Sequence, residues 1–258
     1  MKDESTLLEV KNLKTHFFLD EGTVKAVEGA DLTIKRGGTL GVVGESGCGK
    51  SVMSYSILQL VESPGRIVAG QILFHRQSKG NGQSQMTDVI DLAALAPDSR
   101  AMREIRGEEI AMIFQEPMTS LSPVHTIGNQ IEEVVLLHRR VDHATARQQA
   151  IEMLHRVGIP KPAERIDAYP FQLSGGMRQR AMIAMALACH PSLLIADEPT
   201  TALDVTTQAQ ILELVQELQR DLGMAVMLIT HNLGMVAEIC EEIVVMYLGE
   251  VVERADVF

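Results

Sequence analysis

The strongest constraint on the fold is a glycine-rich segment between an apolar run and a run of helix-forming residues. Residues 44–51 read Gly-Glu-Ser-Gly-Cys-Gly-Lys-Ser and fit the phosphate-loop pattern G-x-x-x-x-G-K-[ST]. The preceding residues 39–43 predict a buried strand, and a helix is predicted from about Lys50 to Leu60. In such a unit, backbone N–H groups and the positive end of the helix dipole bind an anion. The segment therefore predicts a site for the phosphates of a nucleotide.

Two carboxylates follow another apolar run. Residues 193–196 are Leu-Leu-Ile-Ala, and Asp197 and Glu198 come directly after them. Ligands of α/β proteins bind at the carboxyl ends of parallel strands, where these side chains would lie. Beside a phosphate loop, Asp197 is expected to hold Mg²⁺ and Glu198 to orient or deprotonate the attacking water. The alternative is a strand that merely ends in solvent.

A serine and two glycines open a third predicted feature, a helix over residues 174–188. Ser174 is a good N-cap, and the glycines allow an anion to approach the helix N-terminus closely. One nucleotide does not need two separate helix N-termini in one monomer. The second anion site would therefore serve a nucleotide held by another subunit, the alternative being an ordinary capped helix.

The order of these patterns predicts a single α/β domain with a helical insertion. Strand-like apolar runs alternate with helices near the C-terminus, which favours a largely parallel sheet covered by helices. We predict an α/β core of residues 1–114 and 191–258 and a helical subdomain of residues 115–190. Residues 75–87 are almost wholly polar and predict an exposed loop.

Composition excludes several classes of protein. The chain has 23 Lys and Arg against 34 Asp and Glu, a net charge of −11, which argues against a nucleic-acid partner. Its longest apolar stretch, residues 181–189, is far shorter than the about 20 residues that span a bilayer. The three cysteines have no metal-binding spacing, and the N-terminus lacks the apolar core of a signal peptide. We expect a cytosolic chain that reaches a membrane through a partner.

In their order, these motifs make the chain resemble the nucleotide-binding subunits of ABC transporters. The resemblance covers nearly the whole chain. It implies a P-loop NTPase fold with a largely parallel core sheet, an antiparallel β subdomain and an inserted helical subdomain, and it implies ATP and Mg²⁺ as cofactors. Six elements carry it: the phosphate loop Gly44–Ser51, the Q-loop Gln115, the signature Leu173–Gln179, the Walker B strand Leu193–Glu198, the D-loop Thr201–Asp204 and the switch His231.

The resemblance also implies a role for each motif. Two subunits would close head to tail on two ATP molecules, so that the signature serine of one completes the phosphate-loop site of the other. Gln115 would sense Mg²⁺ and the membrane partner, Asp204 would act across the dimer interface, and His231 would contact the γ-phosphate.

The residues implied for the site form three groups. The catalytic residues would be Glu198, His231, Lys50, Gln115 and Asp204. The ligands of Mg²⁺ would be Ser51, Gln115 and Asp197. The nucleotide would contact Phe17, Gly44, Ser46, Gly47, Cys48, Gly49, Lys50, Ser51, Val52, Ser174, Gly175, Gly176 and Gln179.

Two positions keep alternatives open. An aromatic residue in the N-terminal strand usually stacks on adenine in this family, and Phe17 lies at the matching place. Phe18 is a rival because a register slip of one residue exchanges the faces of a strand, and Phe17 could also be a core aromatic. Cys48 stands where the family often has serine. Beside a helix N-terminus it could be sensitive to oxidation, or it could simply fill the loop.

Within the family, residues 113–123 resemble the Q-loop of importers for peptides, nickel and opines, with dipeptide and glutathione importers nearest. This implies an ATPase that powers import of a peptide-like solute from the inner face of the cell membrane. Its partners would be a second copy or a paralogous ATPase, two permease subunits and, indirectly, an external solute-binding protein. The alternatives are a soluble non-transport ABC ATPase and an exporter. The subfamily usually continues into a C-terminal extension, often with an iron–sulfur cluster, so a truncated chain is expected.

Overall fold

The computed structural model describes most of the chain, namely residues 5–77, 87–115, 120–200 and 204–257. The chain divides into two compact units, one of residues 1–103 and 225–258 and the other of residues 104–224. The division predicted from the sequence, with a helical subdomain at residues 115–190, stays a prediction. No described helix is long and apolar enough to cross a membrane.

The described strands and α-helices follow one another without strict alternation, after an N-terminal pair of long strands. In chain order they are β1 (Thr6–Leu19), β2 (Gly22–Lys35), β3 (Thr39–Gly44), α1 (Lys50–Ile57), β4 (Gly65–Gln77), β5 (Thr87–Asp91), α2 (Arg100–Ile105), β6 (Ile110–Ile113), α3 (Ile127–His138), α4 (His143–Arg156), α5 (Pro162–Arg165), α6 (Gly175–Leu187), β7 (Leu193–Asp197), α7 (Val205–Leu222), β8 (Ala225–Ile229), α8 (Leu233–Ile239), β9 (Glu242–Tyr247) and β10 (Glu250–Asp256).

An antiparallel sheet with the order β2-β1-β4-β5 forms one part of the first unit. Side chains of β1 alternate between its faces, and Leu8 and Val10 are buried. A bulge then shifts the register, so that Leu13 is the next buried residue. β2 has a second bulge at Ala26, because the residues before and after Ala26 pair with two adjacent residues of β1. This bulge lies next to the phosphate loop.

The remaining strands of the first unit are mostly parallel. β3 lies between β8 and β9 and is parallel to both, while β10 is antiparallel to β9. Residues 39–43 of β3 and all of β8 are buried, as expected for parallel strands covered on both faces. The predicted strand over residues 39–43 is confirmed. α1 ends at Ile57 and not near Leu60, since Gln59 adopts a left-handed conformation with φ of +52°.

The second unit contains a parallel pair, β6 and β7, and a group of helices in which α3, α4 and α6 pack on one another. The helical pattern predicted from residue 126 to about residue 158 is confirmed as α3 and α4. On α3, Ile127, Ile131 and Val135 form the buried face. Thr126 caps α3, its Oγ1 accepting a hydrogen bond from the N–H of Asn129 at 3.2 Å.

The prediction of an exposed loop over residues 75–87 is wrong at both ends. β4 continues to Gln77, and β5 starts at Thr87. β5 ends the order of this sheet. Backbone hydrogen bonds between β4 and β5 therefore form beside polar side chains that remain in contact with water. Residues 78–86 lie outside the described residues.

Candidate nucleotide site

The phosphate loop connects β3 to α1 in the first unit. Gly49 is the N-cap of α1 and adopts φ of +104°, so that the helix begins at Lys50, as the motif predicts. The first N–H groups of a helix have no partner within it and point back towards the preceding loop. Together with the helix dipole, they form a site for an anion.

Two glycines of this loop are required by close contacts with backbone. A Cβ atom on Gly44 would lie 2.2 Å from the carbonyl oxygen of Met246 in β9. One on Gly49 would lie 2.2 Å from the carbonyl oxygen of Ala26 in β2. No side chain fits at either position, so β2 and β9 support the loop directly through their backbones.

Lys50 folds over the loop that precedes it. Its Nζ donates hydrogen bonds to the carbonyl oxygens of Gly44 and Glu45, both at 2.8 Å. Only 6% of Lys50 is exposed, and a buried ammonium needs such acceptors because desolvating an unpaired charge is costly. The structure thus holds a positive charge against the loop whose N–H groups would bind phosphate.

Cys48 fills the space inside the loop. Its side chain is buried, and its Sγ lies 3.8 Å from the Nζ of Lys50. A Cβ atom on Gly44 would lie 2.7 Å from this sulfur. The Cys48 carbonyl accepts a hydrogen bond from the N–H of Gly249 at 3.0 Å. These contacts favour the interpretation of Cys48 as a small residue that packs the loop.

His231 follows the strand beside the phosphate-loop strand. Val42 of β3 lies opposite Ile229 of β8, and the N–H of Thr230 donates to the carbonyl of Val42 at 3.1 Å. Since parallel strands end at the same sheet edge, His231 leaves β8 where the loop leaves β3. The first unit therefore brings the predicted switch histidine and the phosphate loop to one edge.

In the second unit, Gln115 and Glu198 meet beyond the ends of two parallel strands. Ile113 of β6 lies opposite Ala196 of β7, and Gln115 and Glu198 each come two residues later. The Nε2 of Gln115 donates a hydrogen bond to the Oε2 of Glu198 at 3.1 Å. The structure thus brings together the predicted Q-loop glutamine and the predicted catalytic carboxylate.

Glu198 has a backbone conformation that is rare for a residue with a side chain. Its φ is +47°, in the left-handed region that costs about 1–2 kcal/mol for an L-residue. It comes directly after Asp197, which is 1% exposed at the end of the fully buried β7. Such strain persists where the surroundings hold it, and it clusters at functional sites.

The N-terminus of the signature helix α6 lies close to that of α7. Ser174 caps α6 by accepting from the N–H of Met177 at 3.3 Å, and Asp204 caps α7 by accepting from the N–H of Thr207 at 3.0 Å. A Cβ atom on Gly176 would lie 3.2 Å from the Cγ2 of Thr207. Hydrogen bonds from Thr207 hold the pKa of Asp204 below its ordinary value. Thr201, Ala202 and Leu203 of the predicted D-loop lie outside the described residues.

Gln179 of α6 has no exposed surface. Its Nε2 donates a hydrogen bond to the carbonyl oxygen of Pro199, the residue after Glu198. Its Oε1 has no hydrogen-bond partner among the described residues. The predicted contact of Gln179 with nucleotide stays a prediction, while in this unit the side chain binds the segment that carries Glu198.

Phe17 and Phe18 lie on opposite faces of β1. Thr15 shares the face of Phe17, and its Oγ1 lies 2.8 Å from the Oγ of Ser56 in α1. Phe18 lies on the other face, 40% exposed, with the guanidinium carbon of Arg66 4.3 Å from its ring centre. Phe17 therefore lies on the face of β1 that contacts α1, the helix that begins at the phosphate loop.

Sequence reasoning missed the residues that support these motifs. Ala26 and Met246 support the phosphate loop through their carbonyl groups, so their side chains carry no signal. Gln208 donates its amide to the carbonyl of Thr200 at 3.3 Å. It lies one helical turn after the Asp204 cap, a spacing that could have indicated a contact with the preceding segment.

Comparison with known proteins decides the family. The family model described as ABC transporter matches residues 27–201, more than half of the chain. The chain belongs to the ABC transporter family. The match extends from β2 through the phosphate loop, the signature helix and the Walker B strand.

Relatives of this ABC transporter chain include two bacterial proteins and a solved structure. A probable peptide ABC transporter ATP-binding protein of Sinorhizobium fredii is 53% identical over 252 residues, 97% of this chain and 71% of that protein. The dipeptide transport ATP-binding protein of Escherichia coli is 51% identical over 250 residues, 97% of this chain and 72% of that protein. The ATP-binding cassette MJ0796, in a dimeric post-hydrolysis state with ADP and Pi, has a TM-score of 0.80 and 27% identity, covering 98% of this chain and 99% of that one.

These findings confirm three predictions for the ABC transporter chain. It is an ABC transporter ATP-binding domain. It has the α/β P-loop NTPase fold with an additional antiparallel sheet and helices. It belongs to a class of domain that binds and hydrolyses ATP.

We expect Gly49→Ala to abolish ATP binding, because the new Cβ would collide with the Ala26 carbonyl and displace the loop. Binding of a fluorescent ATP analogue and the melting temperature would measure this. Gly37→Ala is the control, since Gly37 lies outside the loop and has φ of +67° but no atom within 4 Å of its would-be Cβ. It bears only the conformational cost, about 1–2 kcal/mol. Equal losses in both variants would contradict a specific role for the contact with Ala26.

Proposed function

We propose that the chain is the ATP-hydrolysing subunit of an importer for peptides or related small solutes. The observation that carries the catalytic part is the contact of Gln115 with Glu198, which is held in a left-handed conformation at the end of a buried strand. The transport part is supported by relatives named for peptide and dipeptide transport. The two parts can be tested separately.

Hydrolysis would use the residues that the sequence motifs assign to it. Lys50, already held against the phosphate loop, would bind the β- and γ-phosphates. Glu198 would take a proton from a water molecule as the water oxygen attacks the γ-phosphorus and ADP leaves. His231, at the phosphate-loop edge of the first unit, would donate a hydrogen bond to the γ-phosphate.

Mg²⁺ is proposed as the metal that accompanies ATP. Ser51, Gln115 and Asp197 would supply a hydroxyl, an amide and a carboxylate oxygen, the donor type that Mg²⁺ prefers. The described residues contain no group of three His, Cys, Asp or Glu that could hold a metal ion. When bound, Mg²⁺ neutralises charge on the β- and γ-phosphates.

A head-to-tail dimer is proposed because the signature helix offers a second anion site. Ser174 and Gly175 are exposed, and nothing lies within 4 Å of a would-be Cβ on Gly175. The N-terminus of α6 is thus open to a nucleotide of another subunit. The dimeric state of the cassette MJ0796 supports this arrangement. The second subunit would be another copy or a paralogous ATPase.

The membrane partners are proposed from the relatives. Two permease subunits would dock on the dimer at the inner face of the cell membrane, and an external solute-binding protein would deliver the solute. Closure of the dimer on ATP would change the conformation of the permeases, and hydrolysis would return them to their initial conformation. An exporter or a soluble ABC ATPase is less well supported, because the named relatives are proteins of peptide transport.

Phe17→Ala should weaken ATP binding about 10-fold, because a ring stacked on adenine contributes about 0.5–1.5 kcal/mol beyond its buried area. The ring lies on the α1 face of β1, whereas Phe18 packs under Arg66 on the other face. Titrations with ATP and with inorganic triphosphate would measure the two affinities, since only ATP has an adenine ring that can stack. Phe18→Ala is the matched control and should leave ATP affinity unchanged. A larger loss for Phe18→Ala would assign adenine to that residue.

Glu198→Gln should bind ATP normally and hydrolyse it about 100-fold or more slowly, because an amide cannot accept the proton of the attacking water. ATP affinity and single-turnover hydrolysis are the two measurements. Glu213→Gln makes the same change at an exposed position on α7 and should leave both values unchanged. Near-normal hydrolysis by Glu198→Gln would remove the role given to Glu198.

Cells whose only copy of the chain carries Lys50→Ala should lose uptake of a labelled dipeptide, because the importer would have no source of energy. Uptake of proline as the free amino acid serves as the control and should not change. Uptake assays over the first minutes measure both. Normal dipeptide uptake in these cells, with ATP hydrolysis by the purified variant lost, would contradict the transport part alone.

A further inference from the structure

Glutamine amides hold each of residues 198–200, the segment that follows the Walker B strand. Gln115 donates to the carboxylate of the first residue at 3.1 Å. Gln179 donates to the carbonyl of the second, and Gln208 to the carbonyl of the third at 3.3 Å. The three amides come from three different places in the second unit: the segment after β6, α6 and α7. The position of the segment therefore depends on three separate parts of this unit.

The chemistry of Gln179 sets it apart from an ordinary buried residue. A carbonyl oxygen only accepts hydrogen bonds, so the amide nitrogen of Gln179 must face Pro199. Its Oε1 has no partner within the described part of the chain, and a buried polar atom without a partner lowers stability. A methionine of similar length would remove this unpaired atom but would leave the carbonyl of Pro199, which belongs to a buried residue, without its donor. What distinguishes the glutamine is therefore the group that it binds, the residue next to Glu198, and this points to a role in positioning.

Pro199 follows Glu198 directly, so a hydrogen bond to the carbonyl of Pro199 restrains the backbone that carries the Glu198 carboxylate. A residue before proline prefers the extended region, yet Glu198 has φ of +47°. If the bond from Gln179 to Pro199 were lost, the backbone of Glu198 would be free to relax towards that region. Its carboxylate would then move away from Gln115.

We infer that Gln179 is a positioning residue for ATP hydrolysis, which holds Glu198 in its left-handed conformation through the carbonyl of Pro199. This inference rests on the proposed function, in which Glu198 activates the attacking water. It assigns to Gln179 a task at this subunit's own carboxylate in place of a contact with the partner's nucleotide.

The position of Gln179 on α6 gives this role a further consequence. Gln179 lies four residues, or about one turn, after Gly175, and Ser174 caps the same helix. In the proposed dimer the N-terminus of α6 binds the nucleotide of the partner. One turn of helix therefore links that nucleotide to the carboxylate that serves the subunit's own nucleotide.

The first test is Gln179→Met, which keeps the length of the side chain and removes the hydrogen bond. The purified chain should remain folded, keep its KM for ATP and lose kcat by roughly 10-fold or more, as expected when a reacting group is misplaced. Leu187→Val changes another fully buried residue of α6, about two turns further along. It should lower the melting temperature and leave kcat unchanged.

The pH dependence of kcat in variants of Gln179 distinguishes a positioning role of this residue from a packing role. The side chain of Gln179→Glu has the same shape, but when ionised it presents only acceptors to the carbonyl of Pro199. When protonated, it can donate to that carbonyl. The ratio of its kcat to that of the unaltered chain should rise as the pH falls from about 8 to about 6, because burial raises the pKa of a carboxyl group. The same ratio for Gln179→Met should not change with pH.

A double variant tests whether Gln179 acts through Glu198. In the Glu198→Gln background, Gln179→Met should cause no further loss in single-turnover hydrolysis, because the group that it positions is already inactive. An undiminished kcat in Gln179→Met, a flat profile for Gln179→Glu or an additive loss in the double variant would each overturn the inference. If Glu198→Gln is inactive while Gln179→Met retains full kcat, the inference fails alone. If Glu198→Gln hydrolyses normally, the proposed function fails with it.

Discussion

The phosphate loop depends on the close approach of two backbone carbonyls. Ala26 and Met246 lie so near Gly49 and Gly44 that a single methyl group would not fit at either glycine. Contacts with two strands of its own unit therefore fix the conformation of the loop without the help of a ligand. Its conformation, the start of α1 and the placement of Lys50 all follow from this packing, because each depends on the path of the loop.

The second unit positions its key group by a different means. Glu198 adopts a strained conformation, and side-chain amides donate hydrogen bonds to its carboxylate and to the carbonyls of the two residues after it. The strain costs about 1–2 kcal/mol, and a typical hydrogen bond contributes about 0.5–1.5 kcal/mol net. Two or three such bonds are thus enough to offset the strain, whereas one is marginal. A small number of glutamines can therefore decide where the carboxylate lies.

How much could be predicted from the sequence depended on the range of the interactions. The phosphate loop, the Walker B carboxylates and the capped α6 are local patterns, because their chemistry requires particular residues at fixed spacing. Contacts made by the carbonyls of Ala26 and Met246 leave no such pattern, since any residue has a carbonyl. The face of β1 that carries Phe17 could not be fixed either, because bulges decide it. Residues 75–77 were misread as a loop because their side chains are polar, whereas their backbone pairs with the edge strand β5.

The bulge at Ala26 has a consequence for how related chains can differ. Because Ala26 contacts Gly49 through its carbonyl, the identity of its side chain has little influence on the loop, but its position along β2 matters. Moving the bulge by one residue would aim a different peptide group at Gly49 and turn the alternating side chains of the strand to the opposite face. At Ala26 the hairpin of β1 and β2 is thus free in its side chain but restricted in length. Insertions and deletions are tolerable at its turn, near residues 20 and 21, and not between Ala26 and the core.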